Sequence, residues 1–229
     1  MLLAIDTATH AIGAAVHDGQ AVRARVVRED ARKHAELLTP AIEEVLRQAE
    51  VGRDQLTAVV CGVGPGPFTG LRVGVVTAQV LAHALGLPAP QGICSLDALA
   101  HAVRDQHEGE LLVATDARRK EVYWARYRVE QGRASRLDGP GVARAIDLPD
   151  ELRELPVVGR GALLYPDALP HLLAEGPRDV DPGELADLAV RLRTGVHPDA
   201  ESALLPPEPL YLRRPDAVAP VGMPTPAGG

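Results

Sequence analysis

Short apolar runs, each closed by a turn residue, open the chain. Leu2 to Thr7 (Leu-Leu-Ala-Ile-Asp-Thr) stays apolar until Asp6, the pattern of a buried strand. Ala11 to Val16 is a second run, closed by Asp18-Gly19, a hairpin signal. Ala21 to Val27 is a third, in which Val22, Ala24 and Val26 alternate with Arg23 and Arg25. Then the period changes. Between His34 and Glu50, Leu37, Leu38, Ala41, Ile42, Val45, Leu46 and Ala49 recur at helical spacing, with Glu36, Glu43 and Glu44 off the stripe. Pro40 is expected in or near the first turn of that helix, where a missing N–H is tolerated, and His34 at its entrance as a capping or packing residue.

Val59 to Val63 is a β-branched buried strand, stopped by Gly64-Pro65-Gly66-Pro67-Phe68-Thr69-Gly70. Leu71 to Leu85 has no proline and ends at Gly86 with Pro88 behind it, a helix stop. Such a strand–loop–helix unit points backbone N–H groups outward, a geometry able to hold an anion or a partner's side chain. The helix is apolar round most of its circumference: Leu71, Val73, Val75, Val76, Ala78, Val80, Leu81, Ala82, Ala84 and Leu85. A surface helix normally keeps one polar face, so a second covered face, against another subunit, is expected. Pro90 to Cys94 is the fifth strand, and Ser95 is expected to N-cap a short helix from Leu96 to Val103, with Asp97 in its first turn.

The order β-β-β-α-β-α-β-α, with three antiparallel strands first, is that of an actin-like (ribonuclease H-like) half: helices on a mixed sheet. In that fold the first hairpin's acid and hydroxyls face a nucleotide phosphate or a metal. Asp6, Thr7 and Thr9, with Gly66 and Thr69 of the glycine loop, are therefore candidate phosphate contacts. Local turn capping by Asp6 and Thr7 competes with that role.

Polar residues from Arg104 to Gly109 mark a boundary. Leu111 to Asp116 then restarts the strand-then-acid pattern of Leu2 to Asp6, a short echo that fits internal duplication. Glu121 to Val129 is a strand with Tyr123, Ala125, Tyr127 and Val129 on one face. Arg133 to Pro149 reads as irregular, Val157-Val158 as a small strand, Ala162 to Ala174 as a broken helical stretch and Gly183 to Arg193 as a helix. Pro215 to Gly229 reads as a frayed tail. The organisation expected is an α/β chain of two lobes, 1–104 and 105–206, each with a mixed sheet flanked by helices, followed by a segment 207–229.

Composition narrows the function. The 229 residues are 46% hydrophobic but only 3% aromatic, so the core is built from Ala, Val and Leu, and base stacking is not expected to be a major device. A net charge of −7 argues against a broad basic surface binding nucleic acid alone. Cys61 and Cys94 both lie in apolar strand-like runs and read as buried thiols. No run is apolar for the roughly 18 residues of a membrane span, and the N-terminus has no basic region before its first strand; a cytoplasmic protein is expected.

No Walker loop, Rossmann spacing or nucleophile elbow is present. The eight histidines include no His-Glu-x-x-His and no pair at four-residue spacing. Asp116-Ala117-Arg118-Arg119-Lys120 reads as a solvated turn or as a contact for RNA phosphate or an acidic partner, and Arg213-Arg214 carries the same two readings.

Several runs together resemble one family. Val63 to Gly74 (Val-Gly-Pro-Gly-Pro-Phe-Thr-Gly-Leu-Arg-Val-Gly) resembles the Gly-Pro-Gly-Ser-Phe-Thr-Gly-Leu-Arg-Ile-Gly signature of the TsaB (YeaZ) proteins. Ile5-Asp6-Thr7-Ala8-Thr9, His34-Ala35-Glu36-Leu37-Leu38, Asp116-Ala117-Arg118 with Glu121-Val122-Tyr123, and Pro209-Leu210-Tyr211-Leu212-Arg213 resemble further runs of that family, in the same order. Pro67 stands where the family usually has serine, which removes a hydroxyl and an N–H from the loop.

The resemblance implies a two-lobed actin-like (ASKHA) fold. It also implies a part in making threonylcarbamoyladenosine at position 37 of ANN-decoding tRNAs. The catalytic relative, TsaD, holds metal through a His-x-x-x-His after the strand equivalent to Pro90–Cys94. Here that place reads Ser95-Leu96-Asp97-Ala98-Leu99, and serine and leucine cannot replace imidazoles. The implied role is thus non-catalytic, with no catalytic residue and no metal site. It is that of a partner of a TsaD-like subunit and a TsaE-like ATPase, a homodimer when alone, reaching tRNA only through the complex, with weak ATP or ADP binding at a subunit interface and no membrane contact. The family pairs through its first two long helices. The expected interface is Leu37, Leu38, Ala41, Ile42, Val45, Leu71, Val75, Val76, Ala78, Gln79 and Ala82. Two enzymatic readings stand beside it: a glycoprotease-like metalloprotease, and an ATP-binding enzyme of the actin or sugar-kinase class.

Overall fold

The computed structural model describes residues 1–29, 34–195 and 203–213. The side chain of His34 and the segment from Pro215 lie outside the described residues. β1 (Leu2–Asp6), β2 (Ala11–His17) and β3 (Val22–Glu29) form an antiparallel meander. α1 (His34–Gln48) leads to β4 (Ala58–Gly64), and α2 (Phe68–Ala84) to β5 (Gln91–Cys94). β4 adds to β1, and β5 to β4, in parallel, giving the order β3-β2-β1-β4-β5. α3 (Ser95–His101) closes this half.

β6 (Gly109–Asp116), β7 (Glu121–Glu130) and β8 (Arg133–Arg144) make a second meander, followed by α4 (Asp150–Arg153), β9 (Val157–Val158), α5 (Gly161–Leu164) and α6 (Pro182–Arg193). The second sheet runs β8-β7-β6-β9, with β9 parallel to β6. That order and those directions match β3-β2-β1-β4 strand for strand. The duplication extends to the turns: Asp6 Oδ1 accepts from the Ala8 N–H at 2.8 Å, and Asp116 Oδ1 from the Arg118 N–H at 2.8 Å. Each first strand therefore ends in an acid that folds the next turn.

β1 and β2 are buried on both faces, as their unbroken apolar runs require. On one face Leu3, Ile5, Ile12, Ala14 and Val16 meet Leu38, Ala41, Ile42 and Val45 of α1 and Val75, Ala78 and Ala82 of α2. On the other, Leu2, Ala4 and Ala15 meet α3, α6 and the side chains Leu111, Val113, Ala125, Tyr127 and Val129 of the second sheet. α6 packs back on the first sheet, against β1, β2 and β3. Gly13 permits this, since a Cβ there would stand 2.7 Å from Pro182 Cγ.

Four local expectations are corrected. Pro40 lies well inside α1, not in its first turn; its side is exposed, and the ring removes one interior hydrogen bond. Ser95 is not a cap: Cys94 holds the N-cap position and the Ser95 hydroxyl turns inward to Asp6. Residues Arg133–Arg144, read as irregular, form the edge strand β8, paired to β7 through two register shifts. Of the alternating set Val22, Ala24 and Val26, only Val26 is fully buried, because β3 is the sheet's outer strand.

Candidate functional site

Two surfaces bear on function: the cleft where the two meanders' turns meet, and the outer side of α2. The turn after β1, Ala8 to His10, lines the cleft, and the end of β1 lies behind it. Asp6 is buried, and its Oδ2 accepts from the Ser95 hydroxyl at 2.7 Å; that hydroxyl in turn accepts from the Gly64 N–H at 3.2 Å. Burial pushes the Asp6 carboxyl up to about 6, against the pull of the Ser95 and Ala8 donors, and Asp179 adds to the rise. Gly62 has no room for a side chain: a Cβ would stand 1.7 Å from Asp6 Oδ2. Thr7 Oγ1 donates to the Gly70 carbonyl at 2.7 Å and clips β1 to the first turn of α2. Gly74 makes room for it, since a Cβ there would lie 2.4 Å from Thr7 Oγ1. Thr9 Oγ1 accepts from the Val180 N–H at 3.3 Å.

Of the five candidate phosphate contacts, Asp6, Thr7 and Thr9 are thus engaged in internal hydrogen bonds. Gly66 is buried beneath the Ala8 carbonyl, where a Cβ would approach to 2.3 Å, and its own carbonyl accepts from the Tyr123 hydroxyl at 3.3 Å. Thr69 alone is exposed. Asp6 caps its own turn through the Ala8 N–H, whereas the Thr7 hydroxyl reaches not into the turn but across to Gly70. Two of the three arginines lining the cleft are also committed. Arg160 grips Asp179 through Nε (2.8 and 3.0 Å) and Nη2 (2.6 Å), and Arg178 donates to the Leu173 and Ala174 carbonyls at 3.1 and 2.9 Å.

At the cleft's mouth the turn after β6 is strained. Arg118, Arg119 and Lys120 hold φ of 63°, 51° and 66°, the left-handed region, which costs a non-glycine residue about 1 kcal/mol. All three side chains are exposed. At the start of α2, Phe68 stacks on Tyr211 with ring centroids 4.8 Å apart, and the Arg72 guanidinium lies 4.9 Å from the Phe68 ring centre.

α2 buries one face and leaves another open. Leu71, Val75, Ala78 and Ala82 are sealed in the chain's own core, as are Leu38, Ala41, Ile42 and Val45 of α1. These eight cannot form an interface, because the first sheet already covers them. From the expected set, Leu37 is half-buried and Val76 and Gln79 are exposed. The open side of α2 carries Val76, Gln79, Val80 and His83, with Val76 50% and Val80 61% exposed, while Arg72, one turn before Val76, is laid over the Phe68 ring. The spacing is that of one helical stripe, and no acidic residue lies on it. Sequence pattern missed Val80 as an interface candidate because both halves of the helix are equally apolar.

Among the described residues, no group of three or more His, Cys, Asp or Glu is placed to hold a metal ion. At the two positions where the resemblance puts histidines in the catalytic relative, Ser95 is tied to Asp6 and Leu99 is buried in the core.

The family model described as TsaD, tRNA N6-adenosine threonylcarbamoyltransferase, matches residues 24–161. A solved Pseudomonas aeruginosa protein with similarity to the peptidase YEAZ superposes with a TM-score of 0.74 at 30% identity, covering 93% of this chain and 99% of that one. The chain belongs to the TsaB (YeaZ) family. A Haemophilus influenzae TsaB, a tRNA threonylcarbamoyladenosine biosynthesis protein, is 39% identical over 126 residues, 54% of this chain and 52% of that protein. An uncharacterised Mycobacterium leprae protein is 43% identical over 222 residues, 95% of this chain. The match takes in 56% of that relative's length, so the chain spans about half of the curated TsaB and M. leprae relatives named here. TsaB membership accounts for the two-lobed fold and the Gly64–Gly70 loop; no helix of the described residues is long and apolar enough to cross a membrane.

Proposed function

We propose that this TsaB-family chain is the non-catalytic docking subunit of a threonylcarbamoyladenosine-forming system that modifies position 37 of tRNA. Its open α2 stripe seats a TsaD-like catalytic subunit and holds that subunit in its active shape, a population-shift effect. A TsaE-like ATPase joins at the assembled pair, tRNA is reached through the complex, and the same stripe closes a homodimer when the partner is absent. The system works in the cytoplasm.

The observation that carries this reading is the uncharged stripe through Val76 and Val80 on a helix whose other face is already sealed. Closing it removes apolar surface from water at roughly 25 cal/mol per Å². The occupied hydrogen-bond partners of Asp6, Thr7 and Thr9 support a supporting rather than a phosphate-handling role. Val76→Glu with Val80→Glu would bury two unpaired carboxylates at about 2 kcal/mol or more each, weakening association roughly a thousandfold. Both sites are exposed, so the monomer should keep its melting curve. Gel filtration with the TsaD-like subunit should show the wild type co-eluting and the double variant running alone; co-elution of the variant would overturn the proposal.

A further inference from the structure

The chain is acidic overall, at −7, yet its charges are not evenly spread. Arg118 and Asp116 line the cleft, 3.6 Å apart at Nη1 and Oδ2; Arg119 and Lys120 continue that turn, and Arg72 on α2 and Arg213 are the further cations, with Glu121 as a counter-charge. One set of contacts joins them. Phe68 stacks on Tyr211; two residues on, Arg213 Nη1 donates to the Ala117 carbonyl at 2.5 Å and pairs with Glu121 at 3.4 Å; Pro67 and Arg118 line the same cleft. The segment bearing Tyr211 is itself held in place. Leu205 bridges to Gly92 on the edge of the first sheet, the Leu210 N–H donates to Val63 at 2.8 Å, and Gln79 Nε2 donates to the Pro207 carbonyl at 2.9 Å.

The aromatics are the second observation. This chain has a single Phe and four Tyr, and the Phe is not in the core. It is 38% exposed, stacked on a tyrosine 42% exposed, with a guanidinium over its ring. Phe68 is covered by Tyr211 on one side and Arg72 on the other, so the ring face on offer is the outer one of Tyr211; with the cationic turn that Arg213 ties to the same segment, it matches the two things an unpaired nucleotide offers, a π-face and a phosphate. A duplex would offer only the phosphates, since its bases are stacked away. An acidic protein segment would use the cations but not the paired rings.

We propose that this rim — Phe68, Tyr211 and Arg72 with Arg118, Arg119 and Lys120 — is a contact for unpaired RNA, next to the α2 docking stripe. The choice of RNA over other single strands rests on the tRNA-modification reading above. Two of the chain's six aromatics stand at this rim, and the contact is one this chain makes itself, within the complex through which tRNA is reached.

The test uses the full chain with a fluorescently labelled RNA stem–loop and the same stem as a blunt duplex, in fluorescence anisotropy across a salt series. The stem–loop should bind more tightly than the duplex. Tyr211→Ala should weaken stem–loop binding roughly tenfold, the scale of one lost base stack, while leaving the duplex affinity unchanged. Arg118→Ser with Lys120→Ser should flatten the salt dependence by about one to two phosphate contacts. Arg53→Ser, on the far side of the first lobe, should change neither. Melting curves of each variant check folding; Tyr211→Phe, which keeps the ring, should restore stem–loop affinity. Equal binding of stem–loop and duplex, or no effect of Tyr211→Ala, overturns the inference. So does loss of co-elution with the TsaD-like subunit in Tyr211→Ala at unchanged RNA affinity, which makes the rim a protein contact. An RNA-silent rim with intact co-elution removes this inference and leaves the docking reading standing.

Discussion

Asp6→Asn gives a quantitative test of how the cleft is built. The carboxyl is buried at the end of β1, and its folded value of about 6 stands above the ordinary 3.8. A raised folded value means that the native state holds its proton more tightly than the unfolded chain does. Stability from this group is therefore fully present below the unfolded value and is lost as pH rises through the folded one. A rise of about two units corresponds to about 3 kcal/mol, the cost at neutral pH of keeping a buried charge with only the Ser95 and Ala8 donors to hold it. Asparagine keeps the acceptor for the Ala8 N–H and removes the charge. It also turns a donor toward Ser95 and disturbs that hydrogen bond by about 1 kcal/mol. Asp6→Asn should accordingly be about 2 kcal/mol more stable than the wild type near pH 8, and the gain should vanish or reverse near pH 4. Urea melts at a series of pH values read the difference directly. A pH-independent difference, or a carboxyl that titrates near its ordinary value by NMR, would refute the reasoning from burial.

Three other outcomes follow from the same contacts. Gly74→Ala should cost about 2 kcal/mol in a urea melt by pressing on the Thr7 hydroxyl that holds Gly70. Gly62→Ala, whose Cβ would fall within bonding distance of the Asp6 carboxylate, should fail to yield a cooperatively folding protein by circular dichroism. His101, between α3 and α6, is pushed down by burial, partly offset by its hydrogen bond to Asp187 at 2.8 Å. A lowered folded value means that the unfolded chain gains the proton first, so stability falls as pH drops below the ordinary imidazole range. His101→Gln should flatten that acid limb relative to the wild type in thermal melts taken across it.

The first half of the chain was readable because its strands are covered on both faces: unbroken apolar runs such as Leu2–Ile5 and Val59–Val63 have no other explanation. The echo between Leu2–Asp6 and Leu111–Asp116 was short, yet the matching strand orders and Asx turns show it to be architectural. β8 was missed because Arg133–Arg144 is an edge strand carrying Asp138-Gly139-Pro140-Gly141, which reads as a turn. Its pairing comes from β7, and Gly141 is small because a Cβ would meet the Trp124 ring at 2.8 Å. Ser95 was misread because a serine before a helix is usually a cap, and nothing local reveals a buried acid eighty-nine residues earlier in the chain. Of the expected interface residues, eight face the chain's own core and only Leu37, Val76 and Gln79 reach the surface. With alanine, valine and leucine all round α2, periodicity could not say which side the sheet would seal.

The docking stripe can be tested at a single atom. Cys61 and Cys94 are buried, and burial pushes the Cys61 thiol up to about 12 and raises that of Cys94 as well, so neither competes for an alkylating reagent. Val76→Cys then supplies one reactive thiol on the open side of α2, and Leu137→Cys, 45% exposed on β8, supplies a control. At a dilution where the chain is monomeric, both should alkylate at comparable rates. Adding a saturating TsaD-like subunit should slow Val76→Cys at least roughly tenfold, the protection expected when a half-exposed site is fully covered, and leave Leu137→Cys unchanged. A bound partner that leaves the rate at Val76→Cys untouched would contradict the account.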